Sequence, residues 1–389
     1  MSKKRKILCV FGTRPEAIKM APVVMALKKD KSHFITRVVV TAQHRQMLDQ
    51  VMRLFNIKSD YDLNIMLEAQ TLYQITSKAI VRLKPVLDRE RPDLVLVHGD
   101  TTTTLASSLA SFYARIPVAH VEAGLRTFDS LNPYPEETNR VLTDHIASIH
   151  FTPTNTSRRN LIREGIGGNG IFVTGNPVID AIRWVVKRST KSHNTIIRNI
   201  LRSDRRVILV TAHRRENWGR PLENICKAIR QIVNRFEDVE IVYPVHPNPN
   251  VTKIVNRLLR SRDRIRLLPP LDYLDFASLY ERCYLILTDS GGLQEEGPSL
   301  GKPVLVMRKI TERPEAVRAG TVRIVGRETD RILRETSILL KSPKIYNKMA
   351  NAVNPYGDGK ASLRIVEALQ YLFKMKNKRP RDFRGGVRR

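Results

Sequence analysis

Short apolar runs alternate with amphipathic stretches along the whole chain. The runs typical of buried strands lie at residues 6–11, 35–40, 93–97, 118–121, 149–152 and 171–174. A second series lies at residues 207–211, 239–243, 265–268, 285–288, 303–306 and 321–325. Helical spacing of apolar residues follows most runs, as at 16–29 and 222–236. This alternation predicts an α/β fold with two parallel, doubly wound, Rossmann-like sheets.

The length of 389 residues is sufficient for two domains, each with its own core. We predict a first domain over residues 1–175 and a second over residues 176–360, with the crossover at Gly175, Asn176 and Pro177. Because no low-complexity linker separates the two halves, we expect a ligand site in the cleft between them.

Composition limits the class of protein. Hydrophobic residues make up 42% of the chain, and no apolar run approaches the roughly 18 residues of a membrane span. The basic N-terminus leads into a short apolar segment without a cleavage site, which indicates a first strand rather than a signal peptide. Cys9, Cys226 and Cys283 are scattered without metal-ligand spacing, as expected for reduced thiols in a cytoplasmic protein.

The formal net charge of +29 is unusual, and most of it follows residue 175, including a basic tail at 376–389. Such an excess is compatible with binding to a polyanion. However, the basic residues are spread over helical faces, and no nucleic-acid motif accompanies them. We therefore favour a site for a small phosphate-bearing molecule over nucleic-acid binding. Weak binding of the tail to nucleic acid or membrane stays open as the alternative.

The stretch 285–306, LILTDSGGLQEEGPSLGKPVLV, predicts a strand, a polar turn, a helix and another strand. Gly291 and Gly292 let the backbone approach a ligand, and a helix N-terminus attracts an anion. Ser290 belongs to the same turn, and Glu296 follows in the helix, where a carboxylate can accept hydrogen bonds from sugar hydroxyls. The alternative is an ordinary helix capped by Ser290 or Asp289.

Functional-looking residues of the first half fall where strands end, which is where open α/β sheets bind ligands. Gly12 permits a tight turn after the first strand, and Arg14 and Lys19 lie at the start of the following helix, as suits a diphosphate. The pattern is not the dinucleotide GxGxxG, so we infer no nicotinamide cofactor. Gln43 follows the second strand in a polar group that either contacts a ligand or caps a helix. The alternative for Arg14 is a surface pair with Glu16.

The third and fourth strands end in His98, Asp100, His120 and Glu122. A metal cluster of these four is possible, but the set is too loose to be a strong signal. Glu136 opens a later helix, where it can reach Arg140 four residues on. Helix capping does not require three carboxylates at one edge of a sheet, as Asp100, Glu122 and Glu136 would provide. Carboxylates crowded together in this way suit proton transfer.

The second half places cations and rings after its own strands. His213 and Arg214 follow the first strand of this half, which favours phosphate contact or proton transfer over a structural histidine. His246 lies in a proline-rich loop. Phe276 can lie beside a base, and Arg313 supplies a further positive charge.

The motifs GTRPEAIKMAP, TAQHRQMLDQ, HGDTTTTLA, HVEAGLRT, PYPEETNR, TAHRREN, YPVHPNPNV, TDSGGLQEE and ERPEAVRAGT occur in this order. With them the chain resembles the non-hydrolysing UDP-N-acetylglucosamine 2-epimerases over almost its whole length. The resemblance implies a GT-B type fold, with a C-terminal helix at about 361–375 packing back on the first domain. It also implies a homodimer without metal or other cofactor. The implied reaction interconverts UDP-N-acetylglucosamine and UDP-N-acetylmannosamine for surface polysaccharides, by elimination and re-addition of UDP through 2-acetamidoglucal.

The resemblance also assigns residues. It implies catalytic roles for Asp100, Glu122, Glu136 and His213, without deciding which carboxylate is the base. It implies that a ribose contact is made by Glu296 and that Phe276 marks the uracil loop. Diphosphate and sugar contacts are implied for Arg14, Lys19, His213, Ser290, Gly291, Gly292 and Arg313. A second, activating UDP-N-acetylglucosamine is implied at Gln43, Gln46, Glu136, Arg214 and His246, although Ala69 replaces a further basic residue of that set.

Three alternatives stay open. One is a GT-B glycosyltransferase that uses a UDP-sugar and an acceptor. Another is an epimerase that acts on a related diacetamido uronic acid nucleotide. The non-enzyme alternative is a basic protein that binds nucleotides or nucleic acid, for which strongly salt-dependent affinity would be the sign.

Overall fold

The chain divides into two compact units. The computed structural model describes residues 4–41, 45–66, 70–188 and 194–385. The first unit holds Met1–Ala181 together with Tyr356–Gly385, and the second unit holds Ile182–Pro355. The described chain thus passes from one unit to the other after Ala181 and again after Pro355.

A parallel sheet forms the centre of the first unit. Its strands are β1 Arg5–Phe11, β2 Phe34–Val40, β3 Tyr61–Asp62, β4 Leu94–His98, β5 Val118–Val121, β6 Ile149–Thr152 and β7 Ile171–Val173. They are ordered β3-β2-β1-β4-β5-β6-β7, so that the strand order reverses direction between β1 and β4. Six of these strands confirm the predicted runs. The short β3 was not predicted, because two residues paired with Val39 and Val40 leave no periodic pattern.

The second unit has a parallel sheet of the same kind. Its strands are β8 Arg206–Thr211, β9 Val239–Pro244, β10 Ile265–Leu268, β11 Leu285–Thr288, β12 Val304–Val306 and β13 Val322–Ile324. The order is β10-β9-β8-β11-β12-β13, so the reversal lies between β8 and β11. Loops at the carboxyl ends of such a strand pair are the usual ligand site of an open α/β sheet.

Helices connect the strands of each unit. The first unit contains α1 Arg14–Lys29, α2 Arg45–Leu54, α3 Leu72–Glu90, α4 Thr102–Tyr113, α5 Glu136–Ile146 and α6 Asn155–Arg163. Helix α7 Pro177–Val186 begins in the first unit and runs past its boundary. The second unit contains α8 Thr195–Leu201, α9 Arg220–Arg235, α10 Pro249–Leu259, α11 Tyr273–Arg282, α12 Leu293–Ser299, α13 Pro314–Arg318, α14 Thr329–Lys341 and α15 Pro343–Ala350. Helix α16 Ala361–Leu372 returns to the first unit.

The apolar runs become central strands because both faces of each sheet are covered by helices. From Ile7 to Phe11, β1 exposes at most 2% of any residue. The run Val207–Val210 of β8 is fully buried as well. A strand buried on both faces needs a continuous apolar run rather than an alternating one, which explains the signal in the sequence. Along β1 and β8 the polar residues therefore lie at the strand ends.

The C-terminal segment packs on the first unit. Helix α16 lies against α1, and Gln370 Nε2 donates a 2.7 Å hydrogen bond to Asp30 Oδ2. The described part of the predicted basic tail, residues 376–385, continues this packing. Phe383 is 6% exposed, and the Arg379 guanidinium lies 4.1 Å from the centroid of the Phe172 ring. This part of the tail is a packed element of the first unit.

Across the described residues, no helix combines the length and apolar character needed to cross a membrane.

Candidate functional site

The loop between β1 and α1 is held in place by a buried glutamate. Glu16 is 2% exposed, and its Oε2 accepts hydrogen bonds from the backbone N–H groups of Gly12 and Thr13 at 2.8 and 2.7 Å. Its Oε1 accepts from the hydroxyls of Thr101 and Thr104 at 2.5 and 3.0 Å. Glu16 therefore joins the two loops that flank the reversal of the first sheet.

Glu122 is the most constrained of the predicted catalytic residues. It follows β5 directly and has a φ of 70°, a left-handed conformation that is uncommon outside glycine. Its side chain is 6% exposed, and Oε2 accepts hydrogen bonds from Lys19 Nζ at 2.5 Å and Asn176 Nδ2 at 2.6 Å. Residues held in such conformations by their surroundings are concentrated at functional sites. The structure thus places the predicted phosphate ligand Lys19 on a predicted catalytic carboxylate.

His98 lies beside this carboxylate and is 3% exposed. Its Nε2 is 3.9 Å from Glu122 Oε2, too far for a hydrogen bond. Neither ring nitrogen of His98 has a hydrogen-bond partner within the described chain. Burial lowers the pKa of His98 to about 4, so the ring is neutral near pH 7.

Asp100 is bound by an arginine of α5. Arg140 donates to Asp100 Oδ2 and, at 2.9 Å, to Glu137 Oε2. The predicted contact between Glu136 and Arg140 is therefore wrong, because Arg140 is 7% exposed and its buried neighbour on the helix is Glu137. Glu136 is half-buried, and its side chain makes no hydrogen bond or ion pair with another described residue. Asp100 itself keeps 28% of its side chain exposed.

His120 belongs to a separate, fully buried network. Its Nδ1 lies 2.6 Å from Asp144 Oδ1 and its Nε2 lies 2.7 Å from the carbonyl of Gly99. The Gly99 carbonyl can only accept, so Nε2 is the donor of that hydrogen bond. Burial would raise the pKa of Asp144, but His120 and Arg126 outweigh it and lower that pKa to about 2. No three His, Cys, Asp or Glu side chains of the described chain are grouped closely enough to hold a metal ion.

In the second unit, Asp289 arranges the loop after β8. It is fully buried, and its Oδ2 accepts hydrogen bonds from the backbone N–H groups of His213 and Arg214 at 2.8 and 2.9 Å. Asn217 Nδ2 donates to the same oxygen at 2.9 Å. The alternative that Asp289 or Ser290 caps α12 is wrong, because Gly292 occupies the N-cap without a side-chain hydrogen bond. The Asp289 carboxylate instead accepts hydrogen bonds from the loop after β8.

The His213 ring stacks on the ring of His246, with centroids 5.5 Å apart and planes inclined by 18°. His213 Nδ1 lies 3.5 Å from Asp289 Oδ1. Burial lowers the pKa of His213, and Arg214 and His246 lower it further, although Asp289 acts in the opposite direction. A neutral imidazole at this position can accept or donate a proton.

A cluster of ion pairs covers the turn after β11. Arg313 Nε donates to Glu295 Oε1 at 2.8 Å, and Arg313 Nη1 lies 3.4 Å from Glu312 Oε1. A Cβ added to Gly291 would lie 2.7 Å from Glu312 Oε1, so a side chain there would displace the cluster. A Cβ added to Gly292 would meet nothing within 4 Å. The backbone of the turn is therefore crowded at Gly291 and accessible at Gly292.

Glu296 is anchored by two tyrosines. Tyr273 and Tyr280 donate their hydroxyls to Oε1 and Oε2 at 2.8 and 2.6 Å. The Phe276 ring meets the edge of Tyr280 at a centroid distance of 5.0 Å. Ser290 directs its backbone N–H to the Thr288 hydroxyl at 2.9 Å. Tyr280 thus joins Glu296 to Phe276, a link that spacing along the chain does not indicate.

The structure distributes the predicted site residues between two loop clusters. The first unit brings together Lys19, Glu122 and His98, with Asp100 held separately by Arg140. The second unit brings together His213, Arg214, His246 and Arg313 around the turn at Gly291. Gln43, Ala69 and the side chain of Gln46 lie outside the described residues. No pattern in the sequence indicated Asn176, Glu137 and Asp144 as partners of these residues and their neighbours.

Comparison with known proteins gives the same family throughout. Residues 25–370 match the family model for UDP-N-acetylglucosamine 2-epimerase. The UDP-N-acetylglucosamine 2-epimerase of Escherichia coli (strain K12) is 58% identical over 370 residues, covering 94% of this chain and 98% of that protein.

Solved structures agree with this result. A putative UDP-N-acetylglucosamine 2-epimerase from Listeria monocytogenes has a TM-score of 0.92 at 47% identity, covering 98% of this chain and 100% of that one. The Neisseria meningitidis UDP-GlcNAc 2-epimerase bound to UDP-GlcNAc has a TM-score of 0.86 at 50% identity, covering 94% of this chain and 99% of that one. The predicted α/β class with two doubly wound units of the GT-B type is confirmed. The chain therefore belongs to the UDP-N-acetylglucosamine 2-epimerase family, whose members are isomerases.

Proposed function

We propose that the protein interconverts UDP-N-acetylglucosamine and UDP-N-acetylmannosamine by eliminating UDP and adding it back. The observation that carries this proposal is the cluster of Lys19, Glu122 and Asn176 after β5, which presents a constrained carboxylate where an open α/β sheet binds its ligand. The relatives named for this activity support the choice of substrate. The product would supply the synthesis of a surface polysaccharide.

The chemistry explains the need for both acidic and basic groups. The hydrogen on carbon 2 is not adjacent to a carbonyl, so direct deprotonation is unfavourable. In the elimination a carboxylate takes this proton, the electron pair forms a C1–C2 double bond, and the C1–O bond breaks to release UDP. A phosphate oxygen of UDP then adds to C1 while carbon 2 receives a proton on the opposite face. Cations stabilise the negative charge on the leaving diphosphate.

The first unit would supply proton transfer. Asp100 pairs with Arg140 and Glu122 pairs with Lys19, so both carboxylates are held in fixed positions. Glu136 is half-buried and free of protein ion pairs within the described chain, as suits a carboxylate that acts on the sugar. Arg14 and Lys19 would contact the diphosphate from the start of α1.

The second unit would bind the nucleotide. We assign diphosphate and sugar contacts to His213, Ser290, Gly291, Gly292 and Arg313, which lie at the reversal of the second sheet. Glu296 would bind the ribose hydroxyls, since Tyr273 and Tyr280 fix the direction of its carboxylate. Phe276 would mark the uracil loop. An activating second nucleotide at Arg214 and His246 is part of the same proposal, together with Gln43, Gln46 and Glu136.

The test is incubation with UDP-N-acetylglucosamine alone in deuterated water, followed by NMR at carbon 2. We expect the manno sugar with deuterium at carbon 2. Asp100→Asn and Glu122→Gln should each lower kcat by at least about 100-fold. Asp263→Asn is the control, because that side chain is 90% exposed.

Several outcomes would contradict the proposal. Unlabelled product would exclude exchange at carbon 2 during the reaction. Recovery of unchanged substrate would favour a glycosyltransferase, which needs an acceptor, or an epimerase for a diacetamido uronic acid nucleotide. Near-normal turnover of both carboxylate variants would contradict the catalytic role proposed for Asp100 and Glu122.

A further inference from the structure

Asn176 links the start of α7 to a predicted catalytic carboxylate of the same unit. It follows Gly175 after β7, precedes the first residue of α7, and is fully buried. Its backbone N–H donates to the carbonyl of Tyr356 at 2.6 Å, within the first unit. Its side-chain Nδ2 donates to Glu122 Oε2 at 2.6 Å. The residue is therefore fixed by its backbone while its amide contacts Glu122.

The start of α7 determines which way this amide faces. Asn176 Oδ1 accepts a hydrogen bond from the backbone N–H of Val178 at 3.1 Å, as an N-cap residue does. A backbone N–H can only donate, so the oxygen must face the helix and the amino group must face Glu122. An amide in the opposite orientation would lose both hydrogen bonds.

The capping role does not by itself require asparagine. Serine and aspartate cap helices about as well. However, the asparagine amide accepts from Val178 and donates to Glu122 through two separate atoms of one side chain, which a single hydroxyl or a carboxylate does not offer. Aspartate at this position would bring a second carboxylate against Glu122, and serine would be too short to replace the donor while capping the helix. The amide is therefore specific to the contact with Glu122.

The other groups facing Glu122 differ from Asn176 in mobility or charge. Lys19 Nζ lies 2.5 Å from Glu122 Oε2, and in the proposed function it also serves the diphosphate. His98 Nε2 lies 3.9 Å away, and His98 in turn interacts electrostatically with Asp100 and His120. Asn176 is neutral and has its amide tied to α7, so a phosphate cannot draw it away.

We infer that Asn176 is a positioning residue that holds the Glu122 carboxylate in place for proton transfer at carbon 2 while Lys19 attends to the leaving diphosphate. The inference rests on the proposed function. It assigns a role in catalysis to a buried residue at the start of α7.

Two variants separate this role from capping. Asn176→Ser and Asn176→Asp both keep an acceptor for Val178, and both remove the donor to Glu122. We expect kcat to fall about 100-fold in each, because a displaced catalytic group costs about that much, with KM changed by less than about threefold. The acidic limb of the kcat/KM profile should move to higher pH, further for the aspartate variant, because the charged form of Glu122 loses a hydrogen bond.

Asn194 provides the matched control. It is the N-cap of α8, accepts from the N–H groups of Ile196 and Ile197, and donates Nδ2 to Asp275 Oδ2 at 3.2 Å. Asn194→Ser and Asn194→Asp should leave kcat and the pH profile unchanged. In a Glu122→Gln background, Asn176→Ser should have no further effect on kcat, since the group that it positions is gone.

The outcomes are distinguishable from failure of the proposed function. If the wild-type protein exchanges no deuterium into product, the proposed function fails. If the wild type is active and Asn176→Ser keeps its kcat within about threefold and its pH profile, the inference is overturned. It is also overturned if the losses from Asn176→Ser and Glu122→Gln multiply, or if neither Asn176 variant folds, because Asn176 then serves the fold.

Discussion

At the scale of the residue, a few buried carboxylates arrange the loops of both units. Glu16 accepts hydrogen bonds from the loops after β1 and β4, and Asp289, which follows β11, accepts several from the loop after β8. A carboxylate has no donor, so it can satisfy several backbone and side-chain N–H groups at once. These residues define the shape of the loops without being candidates for chemistry. Their loss should change both stability and ligand binding.

Asp289→Ala tests this role in the second unit. The change leaves the N–H donors of His213, Arg214 and Asn217 without their acceptor. At about 1 kcal/mol for each lost hydrogen bond, we expect the free energy of unfolding of the second unit to fall by about 3 kcal/mol. Affinity for UDP, measured by calorimetry, should fall because the loop carrying His213 loses its shape.

The control for this change is Asp263→Ala, at an exposed carboxylate of the same unit. It should alter the free energy of unfolding by less than about 0.5 kcal/mol. Denaturant-dependent thiol labelling of the buried Cys226 and Cys283 reports on this unit. Unchanged affinity of the Asp289 variant for UDP would show that the loop does not depend on this carboxylate.

The residue scale is also where the sequence was least informative. Spacing along α5 pointed to a contact between Glu136 and Arg140, whereas the buried geometry pairs Arg140 with Glu137 and Asp100. One helical turn offers both i+3 and i+4 neighbours, and only burial decides between them. Asn176 could not be found as a partner of Glu122, because 54 residues separate them. Contacts of this kind depend on strand order.

At the scale of the element, the turn between β1 and α1 depends on the absence of a side chain. A Cβ added to Gly12 would lie 1.9 Å from the Thr41 hydroxyl oxygen, which closes the carboxyl end of β2. The Gly12 N–H also donates to Glu16. The strands β1 and β2 cannot move apart without breaking the backbone hydrogen bonds between them, since they pair along their full length.

Gly12→Ala should therefore destabilise the first unit by about 2 kcal/mol, in the range typical of overpacking, and displace Arg14. Gly167→Ala is the matched control, because a Cβ there meets nothing within 4 Å and its φ of −61° suits alanine. Thiol labelling of Cys9, which is buried in β1, measures the change in the first unit. Equal stability of the two variants would contradict the steric argument.

Elements were predicted well from the sequence where burial is continuous. Long apolar runs require central strands, so the positions of the strands other than β3 follow from the pattern of apolar residues along the chain. The same signal cannot reveal β3, which has two residues. It also cannot show that α12 is only seven residues long and lacks a side-chain cap. Asp289 looks like its cap in the sequence, but the Asp289 carboxylate accepts hydrogen bonds from the loop after β8.

At the scale of the whole molecule, charged residues of the C-terminal segment take part in its packing on the first unit. Arg379 donates to the carbonyls of Asn169 and Ile171, and Arg158 pairs with Asp382 at 3.0 Å. Arg379 of the tail thus satisfies two backbone carbonyls of the first unit. Net charge alone could not separate this structural use from binding to a polyanion, because both produce the same composition.

The buried histidines make stability depend on pH in a defined window. Burial lowers the pKa of His98 from 6.5 to about 4, and burial also lowers the pKa of His150 in the same unit. Between pH 6.5 and 4 the unfolded chain binds protons that the native state does not, so stability falls as pH falls. The depressed pKa of Asp144, about 2, acts in a separate window, because its contribution is lost only below about pH 4.

His98→Gln should remove most of the first window. For His98 the shift corresponds to about 3 kcal/mol, so the wild-type free energy of unfolding should fall by about that much from pH 7 to pH 4, and the variant should fall by less. Labelling of Cys9 with a disulfide reagent that reacts at acid pH follows the first unit. His145→Gln, at an exposed position of α5, should keep the wild-type slope. If His98→Gln also keeps this slope, His98 titrates alike in the native and unfolded states. Its burial beside Lys19 and Glu122 would then not hold the ring neutral.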